Sequence, residues 1–589
     1  MAAWTQTGTK FDIDGLYYTT LSDSTVQVTS DFLTYILDDT VTIPEWVSYE
    51  GRQYHVTSLE ERAFSGQAWM THVVIPPSIR TISTEAFYVS NLRSVSLPST
   101  LDSIKSCAFQ DTRLVDITIP ASVRYVDEEA FYWVDSLQRI DVESGSRSYC
   151  SMDGILFSGD STALYRYPSA RTDTSFAVPH YVRRLGDDAF LNCIRLRRVS
   201  LPDGLREIGV GAFHGCQSLN ALRLPGQVRL VSNPFAWCPV LTQFELDSTN
   251  PYYRIETSNW ALLSTDGDTL FYKGLQEPII TVPEGVRCLA PYAFAYNFRC
   301  FEVHLPEGLE EIGDMAFLSN HNLEQVTVPS TLRRIGEYAF AYNRDLRSIA
   351  LPEGLESIGK YSFFITSNMR SCLLPNSLKT IPEYAFANCR YLNELVLGDS
   401  IERIERGAFA YSDALDIGGI VFPPTLRYVG DEAFRRAYFE SVEFTGQVDT
   451  IGALAFAVEG QKLKRLTLAQ QTPPVTGEGA FNYAYNYKIH IPCGSLSNYL
   501  DAPVWDGYRN YEEDCDGVEP VDGEAVTVRG GAGQVVVAGT AGQRVEVYNV
   551  TGVRVTAGTA TADPQAFRVP AAGIYLVRVA DRTYKAAVR

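Results

Sequence analysis

Long hydrophobic runs and basic side chains are both scarce in this 589-residue sequence. No window approaches the roughly 18 apolar residues of a membrane-spanning helix, so the sequence predicts no membrane span. Acidic side chains outnumber basic ones by 70 to 50, which gives a formal net charge of −20. This charge argues against nucleic-acid binding, which needs a basic face to displace counterions, and more weakly against anionic membranes.

Residue patterns typical of enzymes are also missing. The seven His residues are scattered and form no His-x-x-x-His pair, so no zinc site is expected. No P-loop, dinucleotide-binding glycine motif or Gly-x-Ser-x-Gly elbow follows a predicted strand. Carboxylates are abundant, but many recur in repeat register, as a solvated face would. We therefore expect a non-enzymatic protein without a cofactor.

The N-terminus shows no secretory signal. Its opening, Met1-Ala2-Ala3-Trp4-Thr5, has neither a basic segment nor an apolar core. This start fits either a native cytosolic chain or a mature exported chain with an added Met, so localisation has to be inferred from other features.

An Ala-Phe pair, or a close variant of it, recurs along most of the chain. Five consecutive intervals between the marked Phe residues are 23 residues long, and the others are 22 to 25 apart from two of 59. An aliphatic residue followed by Pro repeats in the same phase from Pro76 to Pro375. The marked residues are Phe64, Phe87, Phe109, Phe131, Phe190, Phe213, Phe235, Phe294, Phe317, Phe340, Phe363, Phe386, Phe409, Phe434, Phe456 and Phe481.

A unit of 23 residues is too small to bury its own apolar face, so such units must stack on one another. Short alternating runs such as Ser348-Ile349-Ala350-Leu351 predict strands, which the following Pro ends by removing a hydrogen-bond donor. The sequence therefore predicts a mainly β solenoid of about sixteen repeats, with the Phe, Leu and Ile positions forming ladders along its inside.

The two 59-residue intervals carry matched insertions, near residues 141–175 and 246–278. Each contains two alternating strands around a Gly/Asp/Ser turn, at residues 153–165 and 260–272, which predicts a β-hairpin. The segment from Asp14 offers a third hairpin. We expect it to cap the N-terminal end of the solenoid, because an exposed sheet edge invites aggregation.

The composition changes near residue 518. Residues 520–589 hold 8 basic and 5 acidic side chains, and their alternating runs with Gly turns predict a small β-sandwich. The chain then divides into an N-terminal hairpin cap (1–45), a solenoid (46–517) and a C-terminal β-sandwich (518–589).

The Leu-Pro, Ile-Gly and Ala-Phe marks resemble the BspA-like leucine-rich repeat of bacterial surface proteins, over about residues 40–515. The third residue after Phe alternates between Cys, as in Cys193, and Asn, as in Asn297, which is a known feature of leucine-rich repeats. The resemblance implies an exported, monomeric leucine-rich-repeat protein of a Bacteroidetes-type bacterium. It also implies adhesion to host proteins such as fibronectin or fibrinogen, to glycans or to other cells.

The tail resembles the C-terminal sorting domain of type IX secretion. The matching elements are Val545-Glu546-Val547-Tyr548, Gly573-Ile574-Tyr575 and Lys585. This resemblance implies that the tail directs export to the outer surface or the medium.

Tyrosines beside the repeat Phe give the candidate binding surface. Tyr292, Tyr338, Tyr361 and Tyr384 all lie two residues before it. Stacked in register, they predict an aromatic stripe along one face, and aromatic residues are over-represented in binding surfaces. Rung-to-rung packing that shields the sheet would give the same pattern, so both interpretations stay open.

The eleven Cys residues are few for a disulfide scaffold of this size. Those in the ladder position are expected to be reduced core residues. Cys493 and Cys515, which flank Trp505, are the first candidate for a disulfide, and Cys288 with Cys300 is the second. An export pathway would permit such bonds.

Two other functions are consistent with the sequence. A glycan-active enzyme would need two carboxylates about 5 to 10 Å apart in a cleft beside Asp153 or Asp266. A passive surface spacer would bind nothing and tolerate deletion of whole repeats. Asp12-Ile13-Asp14-Gly15 and Asp266-Gly267-Asp268 could suggest calcium, but neither continues into a full ligand set, so we expect hairpin turns and no metal.

Overall fold

The protein is mainly β, a β-solenoid of about 18 turns followed by a small β-sandwich, which confirms the predicted fold class. The predicted boundary near residue 518, and Trp260, lie outside the described residues. The computed structural model describes residues 8–30, 36, 38–241, 243–256, 261–273, 277–415, 417–458, 463–481, 487–515, 527–531, 534–538, 544–550, 552–559, 565–571, 573–579 and 582–588.

The chain separates into two compact units. The N-terminal unit comprises Met1–Glu277, Val286–Arg299 and Met315–Phe317. The C-terminal unit comprises the remaining segments Pro278–Gly285, Cys300–Asp314 and Leu318–Arg589.

The N-terminal unit begins with a five-stranded sheet. Its first three strands pair antiparallel in sequence, and the third then runs parallel to Arg52–Leu59. The sheet therefore includes strands on both sides of residue 45. Its strands are Lys10–Ile13, Leu16–Thr20, Thr25–Thr29, Trp46–Tyr49 and Arg52–Leu59.

Each regular turn of the solenoid contributes a front strand, which ends near the repeat Pro, and a two-residue back strand. Neighbouring turns pair in parallel, and the inward side chains are buried. The front strands of the N-terminal unit are Thr40–Thr42, His72–Val74, Ser94–Ser96, Asp116–Ile119, Arg139–Val142, Ser175–Ala177, Arg198–Ser200, Ala221–Leu224 and Gln243–Leu246. Its back strands are Thr81–Ile82, Ser103–Ile104, Tyr125–Val126, Arg184–Leu185, Glu207–Ile208, Arg229–Leu230 and Cys288–Leu289.

The repeat Phe residues stack in parallel inside the solenoid. From Phe64 to Phe131 successive ring centroids lie 5.3 to 5.7 Å apart. From Phe340 to Phe481, in the C-terminal unit, the spacing is 5.0 to 5.4 Å. Such offset stacks add to the stabilisation that burial of each ring supplies.

The two insertions are three-stranded meanders rather than two-stranded hairpins. An extra strand precedes each predicted pair, and the last strand joins the solenoid in parallel. Tyr167 and Tyr272 follow or end these strands and lie beside Phe190 and Phe235, at 5.3 and 5.5 Å, so each insertion extends the aromatic core. The strands are Tyr149–Met152, Ile155–Ser158, Ala163–Arg166, Tyr253–Glu256, Ala261–Ser264 and Thr269–Lys273.

A buried tyrosine in each insertion closes the end of a back sheet. The hydroxyl of Tyr149 accepts a hydrogen bond from the Val126 N–H at 2.7 Å, and that of Tyr253 accepts one from the Leu230 N–H at 2.8 Å. Each hydroxyl also lies near the carbonyl oxygen of the same residue, at 3.5 and 3.4 Å. The phenol thus takes the place of a neighbouring strand.

Replacing Tyr253 with Phe should lower the stability of its region by about 1 to 3 kcal/mol, because the Leu230 N–H becomes a buried donor without a partner. Hydrogen exchange of the amides in Arg229–Leu230 and Tyr253–Glu256 would measure the loss. Tyr252→Phe is the control, since that hydroxyl bridges no strand edge. Equal effects of the two changes would contradict the assigned role.

The turn that carries the repeat Phe is held open by two left-handed residues, two positions before and two positions after the ring. Glu85 and Val89 have φ of 54° and 55°, and Tyr338 and Tyr342 have 51° and 60°. The N–H groups at both positions donate to the next turn, as in Val89 to Gln110 at 2.9 Å. The sequence signal is the occasional glycine at these positions, such as Gly66.

Val89 is the least suited of these residues to its backbone, because it is β-branched, and its side chain is 49% exposed. Val89→Asn should stabilise this turn by about 1 kcal/mol, since Asn tolerates left-handed φ and already occurs at the same register as Asn192 and Asn388. Native-state hydrogen exchange of residues 85–111 would report the gain. Val89→Ala should gain less, because Ala retains the left-handed cost.

The C-terminal unit continues the two-sheet pattern and ends in a cap. The helix Leu496–Leu500 and the 3₁₀ turn Trp505–Gly507 precede the last front strand, and Trp505 is fully buried. The front strands are Ile279–Thr281, Glu302–His304, Gln325–Thr327, Ser371–Leu373, Glu394–Val396, Gly419–Phe422, Ser441–Phe444, Arg465–Leu468, Lys488–Pro492 and Tyr511–Asp514. The back strands are Glu311–Ile312, Arg334–Ile335, Ser357–Ile358, Thr380–Ile381, Arg403–Ile404, Tyr428–Val429, Thr450–Ile451 and Val475–Thr476.

The tail forms two antiparallel sheets around a core of valines and aromatic residues, including Val547, Phe567 and Val577. One sheet has three strands and the other has four, which agrees with the predicted sandwich. The strands are Thr527–Gly531, Gln534–Ala538, Arg544–Asn549, Arg554–Thr559, Gln565–Arg568, Gly573–Val579 and Arg582–Val588.

Candidate functional site

Three of the four candidate tyrosines form a stacked column in the C-terminal unit, called here the tyrosine ladder: Tyr338, Tyr361 and Tyr384. The first two rings are 4.6 Å apart and inclined by 4°, and the next pair is 5.1 Å apart and inclined by 12°. The 23-residue spacing places these side chains at the same point of successive turns. All three are partly buried.

The tyrosine ladder ends where glycine takes the same register position. A Cβ atom on Gly407 would lie 2.3 Å from Cε1 of Tyr384, so the last ring covers this glycine. Burial raises the pKa of Tyr338 to about 12 and also raises the pKa of Tyr361 and Tyr384. The phenols therefore stay neutral near physiological pH.

Tyr292 belongs to the N-terminal unit and has different surroundings. Its backbone carbonyl accepts a hydrogen bond from Nδ2 of Asn233 at 2.9 Å. Its phenol lies close enough to Tyr132 to help raise the pKa of that residue, although burial is the larger cause. Met315 holds the register position between Tyr292 and Tyr338, so the four tyrosines do not follow one another without a break.

A second aromatic surface lies on the N-terminal unit and was not predicted. We call it the tryptophan platform; it consists of Trp133, Trp237, Tyr296 and Phe298. The centroids of Trp133 and Trp237 are 6.0 Å apart, those of Trp237 and Tyr296 are 6.1 Å apart, and those of Trp237 and Phe298 are 6.0 Å apart. The first three side chains are partly exposed and Phe298 is 37% exposed.

Small residues let the two indoles meet. Trp133, Trp237 and Tyr296 each lie two positions after a repeat aromatic residue, and the turns between the two tryptophans carry Asn192 and Gly215 at this position. A Cβ atom on Gly215 would lie 2.0 Å from Oδ1 of Asn192, so there is no space there for a larger side chain. The rings extend over this gap from both sides.

Buried polar groups lie beneath the tryptophan platform. His214 is 1% exposed, and its ring contacts Trp133 and Tyr296 at centroid distances of 5.7 and 4.7 Å. Burial lowers the pKa of His214 to about 4, so the imidazole is neutral near physiological pH. In the turn before it, burial raises the pKa of Asp188 to about 7, and the nearby Arg166 opposes this shift.

The family profile of the BspA type leucine rich repeat region matches the chain in six copies, at residues 56–155, 165–259, 267–393 and 402–499. The chain belongs to this family. Residues 516–588 match a second profile, described as a domain of unknown function (DUF6383).

Several solved leucine-rich-repeat structures are similar to this BspA-type chain. A leucine rich cell surface protein from Faecalibacterium prausnitzii is 24% identical, with 66% of this chain and 95% of that chain covered and a TM-score of 0.36. A leucine-rich repeat protein from Bacteroides ovatus is 21% identical, with 71% and 99% covered and a TM-score of 0.29. The pneumococcal vaccine antigen PcpA is 17% identical, with 87% and 98% covered and a TM-score of 0.29. A search of curated proteins found no match.

The insertions of this BspA-type chain hold their aspartates in turns and ion pairs. Asp153 pairs with Arg171 at 2.7 Å. Asp266 accepts hydrogen bonds from the Ser264 hydroxyl and the Asp268 N–H, which lower its pKa. An open groove of about 430 Å³ adjoins the second insertion, and Glu207 is the one carboxylate among its lining residues in the described part of the chain.

Cysteines of the repeat are mostly buried thiols. Cys216 and Cys238 lie 3.1 and 3.0 Å from carbonyl oxygens of neighbouring turns. Cys493 and Cys515 form a disulfide with their Cα atoms 4.5 Å apart. The second candidate pair was wrong, because Cys288 and Cys300 are both free thiols.

Two further searches concern the described residues alone. Within them no group of three or more His, Cys, Asp or Glu side chains could hold a metal ion. Nor does this part of the chain contain a helix with the length and apolar character needed to cross a membrane.

Proposed function

We propose that this BspA-type protein is exported to the bacterial surface or the medium and binds an extracellular protein or glycan through its solenoid, without catalysis. The observation that carries the proposal is the partial exposure of stacked aromatic side chains on both units. Aromatic residues with partly exposed rings are enriched where proteins bind partners. An extended repeat surface suits a large ligand.

Binding of the full chain to immobilised matrix proteins, mucin and other glycans tests the proposal. At micromolar concentration we expect retention on at least one of these ligands. No retention on any of them would favour a passive spacer and overturn the binding function.

The tail is proposed to act as a sorting domain of type IX secretion. Its compact sandwich and its Gly-Ile-Tyr strand support this role. Cell fractionation with terminal mass spectrometry of the native protein would test it. Export with loss of residues beyond about 518 is the expected result, and an intact chain in the cytosol would contradict both the sorting role and the surface location.

A further inference from the structure

The tryptophan platform is a shelf rather than a cage. Trp237 and Tyr296 are inclined by only 23°, and Trp133 is inclined by 40° to Trp237. Rings that lie side by side in this way present their faces to solvent and do not enclose a cation on several sides. Their geometry suits a flat ligand with apolar faces.

The platform stands apart from the hydrophobic core. The repeat phenylalanines lie inside the solenoid, whereas the platform rings rest on His214, Asn192 and Gly215. Trp133, Trp237 and Tyr296 have φ of 54°, 55° and 60°, a region that favours glycine. Large side chains held in strained backbone and partly open to water are more typical of binding sites than of stabilising contacts.

Two carboxylates border the shelf. Asp135, two residues after Trp133, is exposed and accepts a hydrogen bond from Nδ2 of Asn192 at 2.9 Å. Asp111 holds the register position one turn before Trp133, and partial burial together with the charge of Asp135 raises its pKa. These groups offer acceptors to hydroxyl donors and repel anions.

We propose that the tryptophan platform binds a neutral glycan, with the C–H faces of its pyranose rings stacked on Trp237 and Trp133 and its hydroxyls donating to Asp135. A pyranose combines apolar faces with a polar edge, which matches aromatic rings bordered by fixed polar groups. The net charge of −20 disfavours polyanionic sugars. This inference rests on the proposed binding function and names the ligand class of one site.

The size of the surface favours a sugar over a protein. A stable protein interface usually involves about 20 to 30 residues on each side. The platform comprises four rings and two carboxylates, which corresponds to a few sugar units.

Titration of the full chain with neutral hexose oligosaccharides, followed by tryptophan fluorescence and calorimetry, tests the proposal. Trp237→Ala and Trp133→Ala should each weaken binding at least tenfold, and Asp135→Asn should weaken it less. Trp69→Ala is the matched control, because Trp69 belongs to the same unit and is 60% exposed. It should leave the affinity unchanged.

Folding and ligand class are controlled separately. Trp237→Phe keeps a ring at the site and should retain part of the affinity, and hydrogen exchange of the Phe213 and Phe235 turns would show that each variant is folded. Failure of the full chain to bind any neutral glycan at millimolar concentration would overturn the inference. If the chain still retained matrix proteins, the broader binding function would stand. Loss of protein binding alone in Trp237→Ala would show that the ligand class was wrong.

Discussion

Asp188→Asn is expected to stabilise the N-terminal unit by up to about 4 kcal/mol at pH 8 and to have little effect at pH 4. Asp188 is 9% exposed, and burial raises the pKa of its carboxyl from an ordinary value of 3.8 to about 7. The positive charge of Arg166 lowers the pKa, and the carboxylates of Glu129, Asp187 and Glu128 raise it further. Asn removes the need to bury a charge.

The pH range follows from the two protonation states. Below about pH 4 the Asp188 carboxyl is neutral in both the folded and unfolded chain, so its favourable contribution is fully present. Between about 4 and 7 the unfolded chain releases this proton while the folded chain keeps it, so stability falls as pH rises. Above 7 both states are ionised and the loss is constant. Denaturant unfolding at several pH values would measure the difference between wild type and variant.

His214 supplies a control with the opposite trend. Its pKa falls from 6.5 to about 4 on burial, so its contribution is present above pH 6.5 and is lost as pH falls towards 4. In wild type the two trends oppose each other between about pH 4 and 6.5. Asp188→Asn should expose the His214 trend, and His214→Gln should expose the Asp188 trend. An effect of Asp188→Asn that is independent of pH would contradict the burial argument.

The repeat register was predictable because it depends on spacing alone. Any side chain that recurs every 23 residues must stack on its copies when the turns stack, so Phe363 and Phe386 could be placed in one ladder. The same reasoning predicted contact between Tyr361 and Tyr384. It could not decide whether those tyrosines bind a partner, because packing and binding produce the same spacing.

The tryptophan platform escaped prediction for a different reason. Trp133 and Trp237 lie on turns separated by an insertion, and their contact depends on how the insertion is accommodated. The Arg166 guanidinium, at the end of the first meander, donates to the carbonyl oxygens of Glu128 and Asp188 and thus bridges the turns on either side. Small side chains at Asn192 and Gly215 were visible in the sequence, but their meaning required this geometry.

Left-handed backbone was also hidden in the repeat. Most residues at these positions are not glycine, because the inter-turn hydrogen bonds of the stacked turns outweigh the local cost. Gly66, Gly211 and Gly407 were the available signal, and they occupy the two left-handed positions around the repeat Phe.

Replacing both Cys493 and Cys515 with Ser should destabilise the C-terminal cap by about 3 kcal/mol, the entropy expected for a disulfide that closes a 22-residue separation. Cys515 directly follows the strand Tyr511–Asp514, which pairs in parallel with Lys488–Pro492. Without the disulfide this outer strand should open more readily and uncover an edge of the front sheet. Hydrogen exchange of residues 487–515 would measure the opening.

The loss should be local, because each turn of a solenoid contacts mainly its neighbours. Amides near Phe386 should keep their protection, while those around Trp505 lose it, since the indole donates to the Pro474 carbonyl oxygen at 2.9 Å only when the cap is closed. Reduction of wild type should reproduce the double variant, and Cys107→Ser, at a free thiol, should change nothing in the cap. Unchanged exchange after reduction would mean that packing around Trp505, and not the disulfide, holds the last strand in place.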